Sequence, residues 1–320
     1  MYDYVTRTST NQGILQSTGF VNKENINKSG VWSLGLLQMD FFYRRKEWYA
    51  GQFVRKIIPK KPIPENCISF FTAVLNKQKP KLLSVLVRHV DSTFENIVIQ
   101  LPVKNAQIDY EFIGEFITGL EQARIAELEA YLLATGLNDY ILTEEEQKAL
   151  NDFETGKIVF GDFFYKNLFN KIIQGRRLTK SDQISGDIPF VMAGTTNTGI
   201  ANYVSNPVAR FPDNSITVDI FGNTFYRGYS FGAGDDTGVY WNDKKEYSSK
   251  VMLFLATAMG TSIKGRFSFG EKLRSSRSLC FKMKLPILNN KPDFSVMDVF
   301  ISAIQKLVIK DVVLYTDAKV

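Results

Sequence analysis

The hydrophobic positions between Gln107 and Asp152 follow the spacing of a helix. Apolar residues recur three and four positions apart, at Ile113, Phe116, Ile117, Leu120, Ile125, Leu128, Tyr131 and Leu132. This spacing is typical of a helix with one buried stripe. Asp109 can cap the N-terminus of such a helix, and Gly136 can adopt the left-handed conformation that ends it. The pattern therefore predicts one helix of about 26 residues and about 40 Å.

The sequence on the two sides of this helix repeats. Residues 8–14 (TSTNQGI) return as residues 194–200 (GTTNTGI), and Phe42–Arg44 returns as Phe225–Arg227. At offset 184, the later matches pair Leu101-Pro102 with Leu285-Pro286, Asp109-Tyr110 with Asp293-Phe294, and Phe116, Ile117 and Leu120 with Phe300, Ile301 and Ile304. The matches predict a duplicated module of about 185 residues in which each copy ends in a long helix. The second such helix is expected from about Asp293 to Leu314.

Alternating apolar and polar positions, separated by turn residues, predict strands in most of the remaining sequence. Two segments, Ile68–Leu75 and Lys81–Val90, fit a helix or a strand equally well. A capping box, in which Glu146 follows Thr143 by three residues, predicts a short helix there. The expected strand regions are residues 2–21, Trp32–Tyr43, Ile97–Leu101, Ile158–Phe164, Gly186–Val191, Ile216–Phe221, Thr224–Tyr226 and Leu279–Leu285.

These patterns predict an α+β protein with two globular, strand-rich domains. Two long helices separate the domains, and each carries an apolar face that can pack against the other. The predicted boundaries are 1–106 for the first domain, 107–154 for the central helical region, 155–291 for the second domain and 292–320 for the C-terminal helical region. The offset places the equivalents of residues 156–187 before residue 1, so we expect the first domain to be truncated at its N-terminus.

The formal net charge of +6 conceals an uneven distribution. Residues 107–152 contain eleven acidic and two basic side chains, a net charge of −9, so the rest of the chain carries +15. Basic domains joined by an acidic helical region favour binding of a polyanion by the domains and of protein by the helices. Such charge runs can also be ordinary solvated surface.

Several kinds of chemistry lack their usual residues in this sequence. With His89 as the only histidine, a Cys/His zinc site is excluded. Cys67 and Cys280 lie in apolar stretches and are expected to be buried free thiols. The glycine-rich segment 228–238 has neither Walker nor Rossmann spacing and predicts hairpin turns. No cofactor is expected.

The sequence also lacks the features of membrane insertion and secretion. No apolar run reaches the length of a membrane span, and the N-terminus has no signal-peptide core. We therefore expect a cytoplasmic protein without a membrane partner.

The sequence resembles the specificity subunits of type I restriction-modification systems and the similar recognition subunits of type IIB systems. The resemblance rests on Gln122–Leu137, which resembles the central helical region, and on Phe160–Phe164 and Gly186–Phe190, which resemble the opening of a target recognition domain. It implies two target recognition domains, each reading half of a split double-stranded DNA site, and two long helices that pack antiparallel as a coiled-coil-like strut. It further implies a non-catalytic subunit whose partners are methyltransferase subunits and possibly a restriction subunit.

The mechanism implied by this resemblance is readout by loops in the major groove, with lysines and arginines on phosphates. In the second domain the candidate DNA-binding residues are Arg176, Arg177, Lys180, Thr195, Thr196, Asn197, Arg227, Lys264 and Arg266. The matching first-domain candidates are Thr8, Thr10, Asn11, Arg44, Arg45 and Arg55. Asn197 fits a turn residue of an Asn-Thr-Gly sequence equally well.

Two alternative functions remain open at this point. Asp213, Asp243 and Lys245 imitate the carboxylate, carboxylate, lysine pattern of metal-dependent nucleases. A protein-binding scaffold that uses only the helices is the third possibility. The sequence does not define the DNA target, its spacer or the choice between a type I and a type IIB system.

Overall fold

The structure is a computed structural model that describes residues 1–319. Its internal contacts divide the chain into two compact units, Met1–Ala130 and Tyr131–Val320. Each unit combines helices with several small sheets, so the predicted α+β class with two domains is confirmed. None of the helices within the described residues is both long and apolar enough to cross a membrane.

The first unit contains two small sheets, one hairpin and the helices that cover them. Its strands are β1 (Tyr2–Val5), β2 (Ile14–Thr18), β3 (Ile26–Asn27), β4 (Val31–Gly35), β5 (Asp40–Arg44), β6 (Trp48–Ala50), β7 (Val54–Ile57), β8 (Val103–Lys104) and β9 (Gln107–Ile108). Its helices are α1 (Ile68–Asn76), α2 (Lys79–Leu83), α3 (Val90–Glu95) and α4 (Tyr110–Thr135), which continues into the second unit. The strand orders are β2-β1-β6-β3 and β5-β4-β7, with β8 and β9 paired as a hairpin.

The second unit contains a larger set of strands. They are β10 (Phe160–Phe164), β11 (Lys171–Gln174), β12 (Ser185–Val191), β13 (Ile200–Val204), β14 (Arg210–Phe211), β15 (Ser215–Asp219), β16 (Thr224–Arg227), β17 (Phe231–Ala233), β18 (Thr237–Trp241), β19 (Lys282–Leu288) and β20 (Lys291–Pro292). Its helices are α5 (Glu144–Glu154), α6 (Tyr165–Leu168), α7 (Ser249–Ile263) and α8 (Phe294–Asp317). The strand orders are β13-β12-β17-β14, β11-β18-β15-β16 and β10-β19-β20.

The two units repeat one topology, which confirms the duplication predicted from the sequence. The order β2-β1-β6-β3 returns as β13-β12-β17-β14, and in both sheets one central pair of strands is parallel. The order β5-β4-β7 returns as β16-β15-β18, with β11 added at the edge. Even the hairpin before each long helix is shared, because two left-handed residues form the turn in both units, Asn105-Ala106 and Asn289-Asn290.

The long helices begin and end close to their predicted limits. Helix α4 is 26 residues long; the Asp109 carboxylate accepts a hydrogen bond from the Phe112 N–H at 3.0 Å, and Gly136 has φ +67°. Helix α8 has 24 residues, and Asp293 caps it through the Val296 N–H at 3.1 Å. The capping box of α5 is also present. The antiparallel packing of α4 against α8 stays a prediction.

The apolar stripe predicted on α4 is buried only in part. Ile113, Ile117 and Leu132 are buried, and Ile113 belongs to the core of the first unit together with α1. Phe116 is 54% exposed and stacks on the equally exposed Phe112 with ring centroids 6.5 Å apart. The spacing identified the helix correctly, but it overestimated the width of the face that the core covers.

The strand expected at Ile97–Leu101 does not form. Its equivalent in the second unit, β19, pairs with β10, and Leu285 of β19 is fully buried. Among the described residues of the first unit no strand takes the place of β10. Because a strand needs a partner for its backbone groups, an apolar and β-branched sequence alone was insufficient here.

Two further expectations are settled by the structure. The ambiguous segment Ile68–Leu75 is helical, within α1, and Lys81–Val90 is mostly short helical turns. Cys67 is buried as expected, and burial raises the pKa of its thiol. The expectation of burial is wrong for Cys280, which is exposed at the end of the 3-10 helix Ser275–Cys280.

A nearly buried lysine joins α8 to the segment before α5. The Lys306 ammonium group is 2.8 Å from the Asp139 carboxylate, 3.1 Å from the Glu146 carboxylate and 2.8 Å from the Ile141 carbonyl oxygen. These hydrogen bonds, that with Asp139 foremost, raise the pKa of Lys306. Burial opposes ionisation of Glu146, but hydrogen bonds from the Thr143 N–H and from Lys306 prevail and lower its pKa. The cluster thus stabilises α5 on α8.

Replacing this lysine by an apolar residue should destabilise the second unit. In Lys306→Met, the Glu146 carboxylate, which is 8% exposed, loses its cation, so we expect a loss of about 2 kcal/mol and a lower Tm by about 5 °C. Lys310→Met, which changes an exposed lysine one turn further along the same helix, is the matched control and should leave Tm unchanged. Equal melting temperatures for the two variants would contradict a stabilising role of the cluster.

The effect of Lys306→Met should also depend on pH. The pKa values of Asp139 and Glu146 are lowered in the folded protein. The two carboxylates therefore contribute fully to the free energy of unfolding above their unfolded-state pKa values of about 4. This contribution is lost as pH falls through their lower folded-state pKa values. Thermal melts at pH 7 and near pH 3 should show a Tm difference between wild type and Lys306→Met that narrows on acidification. A constant difference would contradict the charge contribution.

Candidate nucleic-acid interface

A short loop with an unusual backbone occurs once in each unit. It links β1 to β2 as Thr10–Gly13 and β12 to β13 as Thr196–Gly199. Asn11 and Gln12 have φ/ψ of 48/44° and 54/29°, and Asn197 and Thr198 have 46/41° and 52/27°. Left-handed backbone is costly for residues with a Cβ, and consecutive examples are rarer still. The agreement of the two copies within a few degrees identifies the loop as a shared feature.

The side chains of this loop face solvent. Thr10, Asn11 and Gln12 are exposed in the first unit, as are Thr195 to Thr198 in the second. The glycine that closes each loop is buried with positive φ, +76° at Gly13 and +84° at Gly199. A Cβ at Gly199 would lie 2.8 Å from the Met192 carbonyl oxygen. The loop thus presents threonine and asparagine side chains on a tightly closed base.

An arginine inside each unit supports the loop. In the first unit Arg44, at the end of β5, donates through Nη2 to the Gln12 carbonyl oxygen at 2.6 Å and through Nε to Ser33 Oγ at 2.9 Å. In the second unit Arg227, at the end of β16, donates through Nη2 to the Thr198 carbonyl oxygen at 2.6 Å and through Nε to Thr217 Oγ1 at 3.0 Å. The accepting carbonyl belongs to the second left-handed residue in both loops.

These contacts correct the prediction that Arg44 and Arg227 touch DNA. Their exposed fractions are 3% and 1%, and their donors are directed at the loop and the neighbouring strand. Burial lowers the pKa of Arg44 to about 10, an effect that Asp3 partly opposes, and burial also lowers the pKa of Arg227. Both side chains remain protonated at neutral pH. The repeated Phe-Tyr-Arg sequence therefore marks a structural arginine.

A buried carboxylate holds the other side of the loop in the second unit. Asp219 accepts hydrogen bonds from the Gly194 N–H at 3.0 Å and from the Asn223 side chain at 2.8 Å. The matching position in the first unit is Gly35, where a Cβ would lie 2.9 Å from the Arg7 backbone. At this position the second unit therefore has a hydrogen-bonding carboxylate, whereas the first unit has a close backbone contact. Asp219 was not among the residues predicted from the sequence, although its position before the Gly222-Asn223 turn was an available signal.

The structure gathers several predicted cations around the second-unit loop. One hollow of about 590 Å³ is lined by Arg177, Lys180 and Asn202. A second hollow of about 460 Å³ is lined by Thr195, Asn223 and Lys264. Arg176, Arg177 and Lys180 are exposed, and their segment is anchored by the Arg176 N–H, which donates to the Ala233 carbonyl oxygen at 2.8 Å. This surface therefore combines free cations with hydroxyl and amide groups.

The remaining candidates differ in how available they are. Thr8 is exposed beside the first-unit loop, with its hydroxyl 3.2 Å from that of Thr6. Arg45 forms an ion pair with Glu65, and Arg55 forms one with Asp91 at 2.9 Å, which raises the pKa of Arg55. Arg266 is exposed, but its guanidinium group lies 4.5 Å from the centre of the Phe281 ring. Arg45, Arg55 and Arg266 would have to leave these partners, at least in part, to bind phosphate.

The residues of the nuclease alternative do not form a metal site. Asp243 is 3.3 Å from Lys171 and accepts a hydrogen bond from Asn170, which lowers the pKa of Asp243. Lys245 places its ammonium group 4.0 Å from the centre of the Phe294 ring. Within residues 1–319 no group of three or more histidine, cysteine, aspartate or glutamate side chains is arranged to hold a metal ion.

Comparison with known proteins identifies the family. The family model described as type I restriction modification DNA specificity domain matches residues 1–130 and again residues 160–314. The chain belongs to this family. The two matched segments correspond to the two copies of the repeat, each with its polar loop and its supporting arginine.

Two relatives illustrate how far the similarity extends. The type II restriction enzyme specificity subunit S.BcgI of Heyndrickxia coagulans is 23% identical over 314 residues, which is 96% of this chain and 86% of that protein. The crystal structure of the type I restriction-modification system S subunit from M. genitalium is 13% identical, with a TM-score of 0.58 over 99% of this chain and 84% of that one. At this identity the structural likeness shows the fold.

Proposed function

We propose that this chain is the non-catalytic DNA-recognition subunit of a restriction-modification complex. Each unit reads one half of a bipartite double-stranded target, and methyltransferase subunits, with or without a restriction subunit, are its protein partners. The observation that supports this most directly is the duplicated loop, which has the same pair of left-handed positions in both units and exposes threonine and asparagine side chains. Two equivalent reading surfaces in one chain suit a target in two parts.

The chemistry of the loop fits the edges of bases. Asparagine can donate and accept together with adenine, and threonine can contact any base through its hydroxyl or thymine through its methyl group. The exposed cations Arg176, Arg177 and Lys180 lie on the segment that precedes β12. Contacts of such cations with phosphates fix the register of a protein on the duplex without reading its sequence. Loop and cations thus supply the two complementary parts of recognition.

Charge reversal at the basic segment should weaken DNA binding for every sequence alike. In Arg176→Glu/Arg177→Glu two cations become anions, so affinity should fall strongly. The slope of log K against log salt concentration should shrink by about 2, because roughly one counterion is released per phosphate contact. Fluorescence anisotropy with target and unrelated duplexes at several salt concentrations measures both effects.

The matched control reverses two exposed lysines, Lys310 in α8 and Lys319 just after this helix. Lys310→Glu/Lys319→Glu makes the same change in net charge and should leave the salt slope nearly unchanged, because it lies outside the basic segment. If Arg176→Glu/Arg177→Glu lost affinity only for the target duplex, these residues would be shown to read bases. Full retention of affinity would remove them from the interface.

The two units should be separable as readers. If residues 156–291 are exchanged for the equivalent part of a related subunit, only one half of the methylated motif should change. Methylome sequencing of cells that carry the native or the exchanged chain measures the motif directly. A change in both halves would contradict independent reading by the two units.

The alternatives predict different results with the same protein. Incubation with DNA and Mg²⁺ tests the nuclease, and cleavage that is lost in Asp243→Ala would favour it. The scaffold alternative would be favoured if no salt-sensitive binding to DNA were detected, even with the methyltransferase partner present. A methylated bipartite motif that depends on this gene would exclude both alternatives.

A further inference from the structure

The two loops would be unstable as isolated segments. Each places two consecutive residues with a Cβ in left-handed backbone, and one of them, Thr198, is β-branched. Such a residue at φ +52° is an outlier for which the surrounding structure must compensate. Backbone strain of this kind gathers at binding sites, where a fixed shape serves the ligand. The loop therefore needs a support, and the support should matter for what the loop does.

The buried arginine has the geometry of that support. Its Nη2 reaches the carbonyl oxygen of the second left-handed residue at 2.6 Å in both units, Gln12 in one and Thr198 in the other. Its Nε is held by a hydroxyl on the central strand, Ser33 or Thr217. The guanidinium group thus joins the loop to the sheet through charge-assisted hydrogen bonds, which are stronger than neutral ones.

Two observations separate this role from an accidental contact. The loops differ in sequence, TNQG against TNTG, yet in both units Nη2 donates to the carbonyl oxygen of the second left-handed residue at 2.6 Å and Nε donates to a hydroxyl of the neighbouring strand. Each arginine is nearly inaccessible, whereas the residues of the loop that it supports are exposed. A duplex can therefore touch the loop but not the guanidinium group. Any influence of the arginine on DNA must pass through the shape of the loop.

We infer that Arg44 and Arg227 are positioning residues for base readout, each fixing the left-handed loop whose asparagine and threonine side chains determine the specificity of one half-site. This inference rests on the function proposed above. It assigns sequence discrimination to a residue that does not touch the duplex. The affinity for DNA of any sequence, in contrast, is supplied by the exposed cations, which are separate from the loop and its buried arginine.

The test compares two equivalent variants, each an internal control for the other. The full chain is co-purified with the modification subunit expressed with it and is allowed to select duplexes from a random-sequence library. In Arg227→Met, preference at positions within one half-site should fall roughly tenfold, the order of a mismatched base pair. The other half-site and the binding of unrelated DNA should stay within about twofold. Arg44→Met should give the mirror image.

A rescue variant separates positioning from general destabilisation. The Thr198 hydroxyl accepts a hydrogen bond from Arg227 Nη1 at 3.1 Å, so the side chains left to read bases are those of Thr195, Thr196 and Asn197. Glycine adopts left-handed backbone without a steric penalty, so Thr198→Gly in the Arg227→Met background should recover part of the lost preference. Tyr229→Phe is the matched control, because it removes the hydrogen bond from Arg227 Nη1 to the Tyr229 hydroxyl and leaves the Nη2 contact with the loop in place. It should retain the wild-type motif.

The results of this test distinguish a failure of the inference from a failure of the proposed function. If the wild-type complex selects no sequence, the proposed function fails whatever the variants do. If the wild type selects a bipartite motif that folded Arg227→Met and Arg44→Met also select, this inference alone is overturned. Loss of preference in both half-sites from either single variant also overturns it. Should Arg227→Met not fold, Arg227→Lys, which keeps the charge but not the fork, decides by the same criteria.

Discussion

The hydrogen bond from a buried guanidinium group to a loop carbonyl connects the main features of each unit. A charge removed from water must have its donors satisfied, and one unpaired donor at such a depth would be costly. Arg44 and Arg227 meet this requirement with the loop on one side and a hydroxyl of the central strand on the other. The conformation of the loop, the identity of the strand hydroxyl and the position of the arginine are thus mutually dependent.

The phenylalanine two residues before each arginine packs its ring against the buried guanidinium group. The Arg44 guanidinium group lies 5.7 Å from the Phe42 ring centre, and that of Arg227 lies 5.3 Å from the Phe225 ring centre. Residues two apart on a strand share a face, so the Phe-x-Arg spacing places ring and cation together. The repeated Phe-Tyr-Arg sequence therefore supplies both the buried cation and the ring that it packs against.

Local signals in the sequence predicted local structure well. The caps at Asp109, Thr143 and Asp293, and the left-handed end at Gly136, depend on residues within one helical turn, so the sequence contains all the information they need. Expectations that depended on distant partners fared worse. The segment at Ile97–Leu101 has strand-forming residues without a partner strand, and the environment of Cys280 is set by the packing of its surroundings. Neither fact is visible in a window of the sequence.

For the candidate site, too, the sequence predicted local features better than features that depend on tertiary packing. Charge and residue type located the basic segment near Arg176 and the Thr-Asn loops, but they could not show the direction of a side chain. Arginine is common at DNA surfaces, and the sequence alone favoured an exposed role for Arg227. The paired copies offered a clue, because a contact that reads different bases has no reason to keep the same arginine, whereas a support of common shape does.

The tight hairpin before each long helix has a mechanical consequence. Its turn has only two residues, and the cap residue that follows donates its N–H at 2.9 Å to the carbonyl oxygen of a proline seven residues earlier, Asp109 to Pro102 and Asp293 to Pro286. Each helix is therefore a lever clamped at its root. For α4, with 26 residues and a length of about 39 Å, a tilt of about 5° at the root moves the far end by about 3.4 Å, one base-pair step. A small change of angle at these few residues is thus converted into a displacement of several ångströms at the far end of the helix.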